Sequence, residues 1–282
     1  MYILTLSCKD KIGIVAAVSS FLAENGGFIL ESAQFGDIPS KLFFMRTVFQ
    51  FNKAPRSLKE ITQDFSLLAK KFKMHWELFE EGRKPKVLVM VSKQSHCLNV
   101  ILNQYSTNSL AIEIPAIVSN HKTLQNMASW YNVPFHYHPI EKEKKEKQEK
   151  QVLRLIKELH IDLVILARYM QILSPSFARK VKGKAINIHH SFLPSFKGAK
   201  PYHQAFERGV KIIGATAHYV SEDLDEGPII EQEIAHIKDN AKATDLISIG
   251  KDVESLVLIR AVKKHIEHRV FINGNKTVVF NP

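Results

Sequence analysis

The first 82 residues alternate between stretches with strand-like and helix-like spacing of their hydrophobic side chains. The strand-like stretches are Tyr2–Ser7, Phe28–Phe35, Leu42–Phe51 and Lys73–Phe79. The helix-like stretches are Ile14–Asn25 and Leu58–Phe72. This order, βαββαβ, predicts a ferredoxin-like domain.

From residue 83 onward, buried apolar runs alternate with helical stretches. Val87–Val91 is continuously apolar, as expected for a strand that is covered on both faces. The other predicted strands are Ile114–Ser119, Leu163–Leu166, Ala185–His190, Ile212–Val220 and Lys276–Phe280, and the clearest helices are Lys147–Leu159 and Thr244–Arg269. This pattern predicts a Rossmann-like, mostly parallel α/β sheet, which binds ligands beyond the carboxyl ends of its strands.

A short polar stretch separates the two patterns. Residues 80–86 are charged apart from one glycine and one proline, a composition typical of a linker. The sequence therefore predicts one domain over residues 1–82 and a second over residues 83–282.

Composition places the chain among globular cytoplasmic proteins. It has 282 residues, of which 45% are hydrophobic and 24% charged, and it contains no run of about 18 apolar residues that would span a membrane. The N-terminus lacks the basic flank and apolar stretch of a signal peptide. Cys8 and Cys97 are the only cysteines, which excludes a disulfide framework and is typical of a reducing compartment.

The formal net charge is +11, from 39 basic and 28 acidic residues. The segment Ser176–Lys211 carries eight of the basic residues and one acidic residue. Such a basic excess attracts an anionic ligand, whether a polycarboxylate or a nucleic acid, but it is also compatible with a solvated surface. The Lys/Glu run Glu141–Lys150 predicts a solvated entrance to a helix.

Several familiar chemistries lack their motifs. There is no G-x-G-x-x-G after the first strand of either half, no P-loop, no G-x-S-x-G and no H-E-x-x-H. A zinc site built from His189, His203 and His218 has no compact ligand spacing, so we expect no metal. Cys97 lies at a strand-to-helix junction, where we expect a packed side chain and not a nucleophile.

One stretch combines residues that suit acyl transfer to water. Asn187 and His189 lie near the end of a predicted strand, and alternation places both on the same face. Asp225 follows in a Gly-Pro turn after a later strand. An amide donor, an imidazole and a carboxylate are sufficient for such a reaction. Spacing alone leaves open a histidine-rich loop held by local hydrogen bonds.

These residues resemble the folate-dependent formyltransferase superfamily, whose signature is N-I-H-P-S-x-L-P followed by L-D-x-G-P-I. The form H-H-S-F-L-P at residues 189–194 is similar to that of the formyltetrahydrofolate deformylase family. Agreement extends over essentially the whole chain. Further matching stretches are Ser92–Leu98, Ser119–His121, Leu166–Leu173, Gly198–Tyr202 and Gly214–Gln232.

The resemblance implies that the chain hydrolyses 10-formyltetrahydrofolate to formate and tetrahydrofolate, with no tightly bound cofactor. Asn187 would donate to the formyl oxygen, His189 would stabilise that oxygen and carry protons, and Asp225 would hold the histidine or act as a base toward water. The residues expected to contact the folate are Arg168, Tyr169, Met170, Gln171, Ile172, Leu173 and Val220, with Lys197 and Lys200 meeting its glutamate carboxylates. Without the resemblance, Met170, Ile172 and Leu173 fit an ordinary core equally well.

The N-terminal half resembles an ACT domain, a module that commonly binds small amino acids and pairs with copies of itself. The matching pattern is D-x-x-G-I-V at residues 10–15. The resemblance implies an effector such as glycine or methionine at Asp10, Gly13 and Ile14, and a homodimer or homotetramer. The same pattern is also compatible with Asp10 simply capping the helix and Gly13 simply turning the chain.

Three other functions remain as alternatives. A formyltransferase would deliver the formyl group to an amine, but Ser92–Leu98 lacks the glycines that wrap an acceptor's phosphate in the related glycinamide ribonucleotide enzymes. An RNA-binding protein would exploit the charge of +11, yet no RNA-recognition motif is evident, so we expect no nucleic-acid or membrane partner. A catalytically silent amino-acid sensor would have lost Asn187, His189 or Asp225, and all three are present.

Overall fold

The computed structural model describes residues 1–51, 57–140, 145–193 and 201–281. It divides into two units. The first consists of Met1–Arg83, Glu267–Phe271 and the stretch that begins at Val278, and the second of Lys84–Ile266 and Ile272–Thr277. Within the described part of the chain, no helix is long and apolar enough to cross a membrane.

The first unit has the predicted βαββαβ order. Its elements are β1 (Tyr2–Lys9), α1 (Ile14–Glu24), β2 (Gly27–Asp37), β3 (Leu42–Phe51), α2 (Leu58–Phe72) and β4 (His75–Glu80). The four strands form an antiparallel sheet in the order β2-β3-β1-β4. The core contains Leu6, Val18, Met45 and Phe65, which are contributed by both helices and both central strands.

The second unit contains a seven-stranded sheet in the order β11-β10-β9-β8-β5-β6-β7. These strands are β5 (Lys86–Val91), β6 (Glu113–Ser119), β7 (Phe135–Tyr137), β8 (Leu163–Leu166), β9 (Ala185–His189), β10 (Ile212–Tyr219) and β11 (Ile229–His236). Strands β5 to β9 pair in parallel, whereas β10 and β11 pair antiparallel. The prediction of a mostly parallel α/β sheet is therefore confirmed.

Six helices are described in the second unit: α3 (His96–Ser106), α4 (Gln125–Trp130), α5 (Lys145–Glu158), α6 (Pro175–Lys180), α7 (Pro201–Glu207) and α8 (Ala243–Ile266). A hairpin of β12 (Val270–Asn273) and β13 (Lys276–Val279) follows. The prediction that Thr244–Arg269 is largely helical is confirmed, with the helix ending at Ile266. Beyond the helix, Arg269 pairs with Glu31 on β2.

The Lys/Glu run was predicted to be a solvated helix entrance, and this prediction is wrong at two of its residues. Residues 141–144 of that run lie outside the described residues, but Gln148 and Glu149 on α5 are buried. Glu149 accepts hydrogen bonds from the backbone N–H of Ser174, at 2.8 Å, and from its hydroxyl. The sequence did not predict the burial of Glu149, because its two hydrogen-bond donors lie 25 residues away and the charge pattern of the run does not reveal them.

Candidate active site

Asn187, His189 and Asp225 lie together at the end of β9 and in the loop after β10. The Asn187 amide nitrogen donates to Asp225 Oδ1 at 3.3 Å, and His189 Nδ1 lies 3.1 Å from Asp225 Oδ2. Because alternate residues of a strand share a face, Asn187 and His189 both point toward the loop that carries Asp225. The structure therefore brings the three predicted side chains into one site.

A tight loop fixes the position of Asp225. Asp225 has a positive φ of 58°, and the loop returns to β10 through a hydrogen bond from Tyr219 N–H to Pro228 O at 2.9 Å. A Cβ atom on Gly227 would overlap the Tyr219 carbonyl oxygen. Only glycine lets the loop backbone lie this close to the strand, and this close packing sets where the carboxylate points.

His218 is a fourth member of the site that sequence analysis did not assign to it. It is buried on β10 in register with Asn187, with its Nε2 3.2 Å from the Asn187 amide nitrogen and 3.5 Å from Asp225 Oδ1. Its Nδ1 lies 2.9 Å from the Tyr219 carbonyl oxygen. His218 Nε2 thus faces both Asn187 and Asp225, and its Nδ1 faces the backbone. The signal in the sequence was its place near the end of the predicted strand Ile212–Val220.

Electrostatics keep Asp225 ionised. Burial alone would raise the pKa of Asp225, but hydrogen bonds from His189 and His218 outweigh it and hold the pKa well below its usual range. The carboxylate is therefore a weak proton acceptor and a strong partner for a protonated imidazole.

The other nitrogen of His189 is unoccupied. His189 Nε2 is buried and has no hydrogen-bond partner among the described residues, whereas Nδ1 faces Asp225. A buried polar atom without a partner costs free energy, so this nitrogen is suited to a bound substrate or water.

His190 stacks on His189, with ring centroids 4.8 Å apart. Burial, together with the nearby charges of Arg168 and His189, lowers the pKa of His190 to about 4. His190 is consequently neutral at physiological pH and does not compete for the proton that His189 would carry.

A cavity of about 860 Å³ opens beside these side chains. All seven described residues that were predicted to contact a folate line it: Arg168, Tyr169, Met170, Gln171, Ile172, Leu173 and Val220. Met170 is 54% exposed and Ile172 61% exposed, so they do not belong to the core and instead form an apolar wall open to a ligand. Lys197 and Lys200 lie outside the described residues.

Buried polar contacts hold the segment that forms this wall. Ser92, at the end of β5, accepts the Met170 N–H at 3.0 Å and donates to Asn120 Oδ1 at 2.7 Å. Gln148 donates to the Tyr169 hydroxyl at 3.0 Å. The matching stretches around Ser92 and Asn120 thus support the cavity wall from behind.

The first unit contains the proposed effector residues. Gly13 has a φ of 93° and precedes α1, whose first turn receives no side-chain cap. Asp10 therefore does not cap the helix, and its carboxylate lies against Gly36. The Ile14 side chain is buried in the core, so only its backbone faces the turn.

One group of side chains has the composition of a metal site. Ligand atoms of His96, Cys97 and Glu254 lie within 4.8 Å of one another. However, Arg168 Nε is 3.3 Å from Glu254, and its positive charge disfavours a cation there. Burial also raises the pKa of the Cys97 thiol far above its usual range, so Cys97 is a packed thiol and not a nucleophile. The side chain of His203, a ligand of the zinc site considered above, is outside the described residues.

Comparisons with known proteins identify the family. The formyl transferase family model matches residues 85–262. A formyltetrahydrofolate deformylase from Corynebacterium sp. (strain P-1) is 48% identical, over 99% of this chain and 97% of its own length. One from Bacillus subtilis (strain 168) is 45% identical, over 99% and 93%. The crystal structure of a formyltetrahydrofolate deformylase from Burkholderia mallei ATCC 23344 superposes with a TM-score of 0.95 at 46% identity, covering 99% of both chains. The chain belongs to the formyltetrahydrofolate deformylase family.

Proposed function

We propose that this protein hydrolyses 10-formyltetrahydrofolate to formate and tetrahydrofolate. The observation that carries the proposal is the pair of Asp225 and His189 at 3.1 Å, which leaves His189 Nε2 without a partner among the described residues, in a large cavity that Asn187 also lines. Family membership indicates the substrate, and this geometry supports the mechanism proposed below.

The folate binds along the apolar wall of the cavity. The flat pterin ring packs against Met170 and Ile172, and backbone groups of residues 168–173 and 220–225 serve as its hydrogen-bond partners. The basic excess of the segment Ser176–Lys211 suits the glutamate carboxylates of the substrate.

Water attacks the formyl carbon with help from His189. The imidazole Nε2 accepts a proton from water as the new C–O bond forms, and the formyl oxygen becomes an oxyanion. The Asn187 amide donates to this oxyanion in place of its long, 3.3 Å bond to Asp225. His189 then gives the proton to the folate nitrogen as the C–N bond breaks, releasing formate.

Asp225 stabilises the imidazolium that forms on His189. Its lowered pKa keeps it charged throughout the cycle, so holding the histidine suits it better than acting as the base. His218 orients Asn187. It takes no part in proton transfer to the substrate, since its Nε2 faces Asn187 and Asp225.

Release of formate without an acceptor tests the proposal. Purified protein incubated with 10-formyltetrahydrofolate alone should yield formate and tetrahydrofolate in equal amounts, and His189→Ala should abolish this while remaining folded. A formyltransferase would be inactive until an amine was added. The relatives that match nearly the whole chain do not favour that alternative, since they are deformylases.

We further propose that the first unit is an ACT-like module that binds glycine or methionine at the turn of Asp10 and Gly13. Support comes from the positive φ of Gly13 and from the first turn of α1, where no side chain caps the backbone N–H groups. Adding each amino acid to the formate assay tests it: a change in rate that Gly13→Val abolishes supports the site, and no change with either amino acid contradicts it.

A homodimer or homotetramer fits the exposed apolar side chains of the edge strand β2. Phe28 and Leu30 are 53% and 45% exposed there, and an unpaired strand edge can bind a second copy. Sedimentation equilibrium measures the subunit number, and a monomer at micromolar concentration would contradict the assembly.

The two free, buried cysteines are in keeping with a cytoplasmic location.

A further inference from the structure

A second polar cluster lies next to the active site and is not used by the reaction described above. We call it the Glu254 cluster: Glu254 on α8 with His96, Arg168 and Tyr202. The Tyr202 hydroxyl donates to Glu254 Oε1 at 2.6 Å, and His96 Nε2 lies 2.6 Å from Oε2. Arg168 Nε is 3.3 Å from Oε2, an ion pair without a well-aligned hydrogen bond. Glu254 itself is 1% exposed.

The cluster stands at the edge of the sheet where ligands bind. His96 follows β5, Arg168 follows β8 and Tyr202 follows β9, so all three come from segments beyond the carboxyl ends of strands. They also belong to three separate stretches of the sequence that match the deformylase pattern. Glu254, on which they converge, carried no signal of its own.

The cluster adjoins the catalytic histidines. The Tyr202 ring centroid is 6.2 Å from that of His190, which in turn stacks on His189 at 4.8 Å. Arg168 and His190 also line the folate cavity. The Glu254 cluster therefore borders the reacting centre from the side of His190.

The Tyr202 ring packs closely against α8. A Cβ atom on Gly250, one turn before Glu254 on α8, would overlap the Tyr202 ring. The ring therefore lies in a notch that only glycine provides, with its hydroxyl held by Glu254. The side chains of His96 and Arg168 are only 14% and 13% exposed, so both are largely shielded from solvent.

Burying a carboxylate in such a space costs desolvation free energy. Apolar side chains of similar volume commonly stabilise a fold as well as a buried ion pair does. The polar cluster offers a different advantage beside a charged reaction. Several hydrogen-bond partners together fix one geometry of the side chains and leave no void between them.

We propose that the Glu254 cluster determines acceptor specificity: it fills the space beside His190 and so excludes any formyl acceptor larger than water. This inference rests on the proposed function. In an opened site, an amine nitrogen would attack the formyl carbon, a C–N bond to the amine would form, the bond to the folate nitrogen would break, and that nitrogen would take the proton released by the amine.

Competition between water and hydroxylamine tests the proposal. Each protein is given 10-formyltetrahydrofolate and hydroxylamine, and formate and formohydroxamate are measured against an enzyme-free blank. Wild type should form formate and no hydroxamate above the blank. Tyr202→Ala should raise the ratio of hydroxamate to formate by about tenfold or more, because a ring-sized space opens beside His190. Glu254→Ala should shift the ratio in the same direction.

Two control variants separate shape from charge and from general destabilisation. Tyr202→Phe keeps the ring and should keep the wild-type ratio, and so should Glu231→Gln, which breaks an ion pair between β11 and α8 outside the cavity. Thermal unfolding of each variant confirms that it is folded.

Three results would overturn the inference: hydroxamate formation by wild type, an unchanged ratio in both folded alanine variants, or an equal rise in Tyr202→Phe. If wild type releases no formate, the proposed function fails instead, and the two failures are thereby distinguished.

Discussion

Asp225 and His189 show how a single carboxylate can be kept charged in a half-buried site. His189 lies beside Asp225 Oδ2, and His218 lies beside Asp225 Oδ1. Asn187 also donates to Oδ1. These contacts outweigh the penalty of burial, so the pKa of Asp225 falls. Because the carboxylate stays ionised from mildly acidic to alkaline pH, we expect it to act on the imidazole at all working pH values.

Asp225→Asn should lower kcat by at least about a hundredfold, because the neutral amide cannot stabilise the imidazolium on His189. Steady-state kinetics at saturating folate measures the effect. Asp239→Asn, which removes an exposed partner of Lys211, is the matched control and should retain wild-type kcat. A folded Asp225→Asn protein with near-wild-type turnover would remove Asp225 from the mechanism.

His265 makes a separate prediction about stability. It is half-buried on α8, its Nδ1 lies 2.7 Å from the Tyr219 hydroxyl, and desolvation lowers its pKa to about 4. The unfolded chain therefore binds a proton near pH 6.5 that the folded chain does not bind until about pH 4. As pH falls through this window, the free energy of unfolding should decrease by up to about 3 kcal/mol from this group alone.

His265→Gln should remove this part of the acid destabilisation. Urea unfolding at several values between pH 7 and pH 4 measures the slope, and His190, whose pKa is also about 4, leaves a residual slope in the variant. His236→Gln alters an exposed histidine and should keep the wild-type slope. Identical slopes for wild type and His265→Gln would contradict the assignment.

At the scale of elements, the site is built where a central parallel strand meets an antiparallel one. The register of β9 and β10 places His218 opposite Asn187, and the loop after β10 returns to the same strand end with Asp225. The sheet thus brings two distant stretches of sequence into one cluster, and the loop's close packing on Tyr219 fixes the position of Asp225.

Gly227→Ala should reduce kcat sharply, since the added methyl group overlaps the Tyr219 carbonyl oxygen and must displace the loop that carries Asp225. Kinetics and thermal unfolding together measure the change. Gly209→Ala is an informative comparison: its φ of 62° strains an alanine, but no atom of the described residues lies within 4 Å of the new methyl group. That variant should lose some stability and keep its kcat, and equal losses of kcat in both would argue against a contact effect.

Hydrophobic spacing predicted the central elements well because long apolar runs such as Val87–Val91 have few other ways to be buried. It did not predict β11, whose middle residues Glu231, Gln232 and Glu233 are polar, because a strand at the edge of a sheet needs little apolar surface. Motif spacing indicated Asn187, His189 and Asp225. His218 and Glu254 could not be predicted in the same way, since their partners lie on other elements.

At the scale of the whole molecule, chemistry and charge are concentrated in the second unit. Residues from four strand ends line its cavity, and the formyl transferase family model falls within the same part of the chain. The relatives match the first unit as well as the second, over nearly their full length. We therefore expect the chain to work as one two-unit enzyme, with hydrolysis performed by the second unit.

The most direct test of the account is the origin of the oxygen in formate. Turnover of 10-formyltetrahydrofolate in ¹⁸O-labelled water, followed by mass spectrometry of the formate, should show a single labelled oxygen in each molecule and an equal amount of tetrahydrofolate. That result would identify water as the acceptor. Folate left intact by the folded protein, or loss of the formyl group without labelled formate, would contradict it.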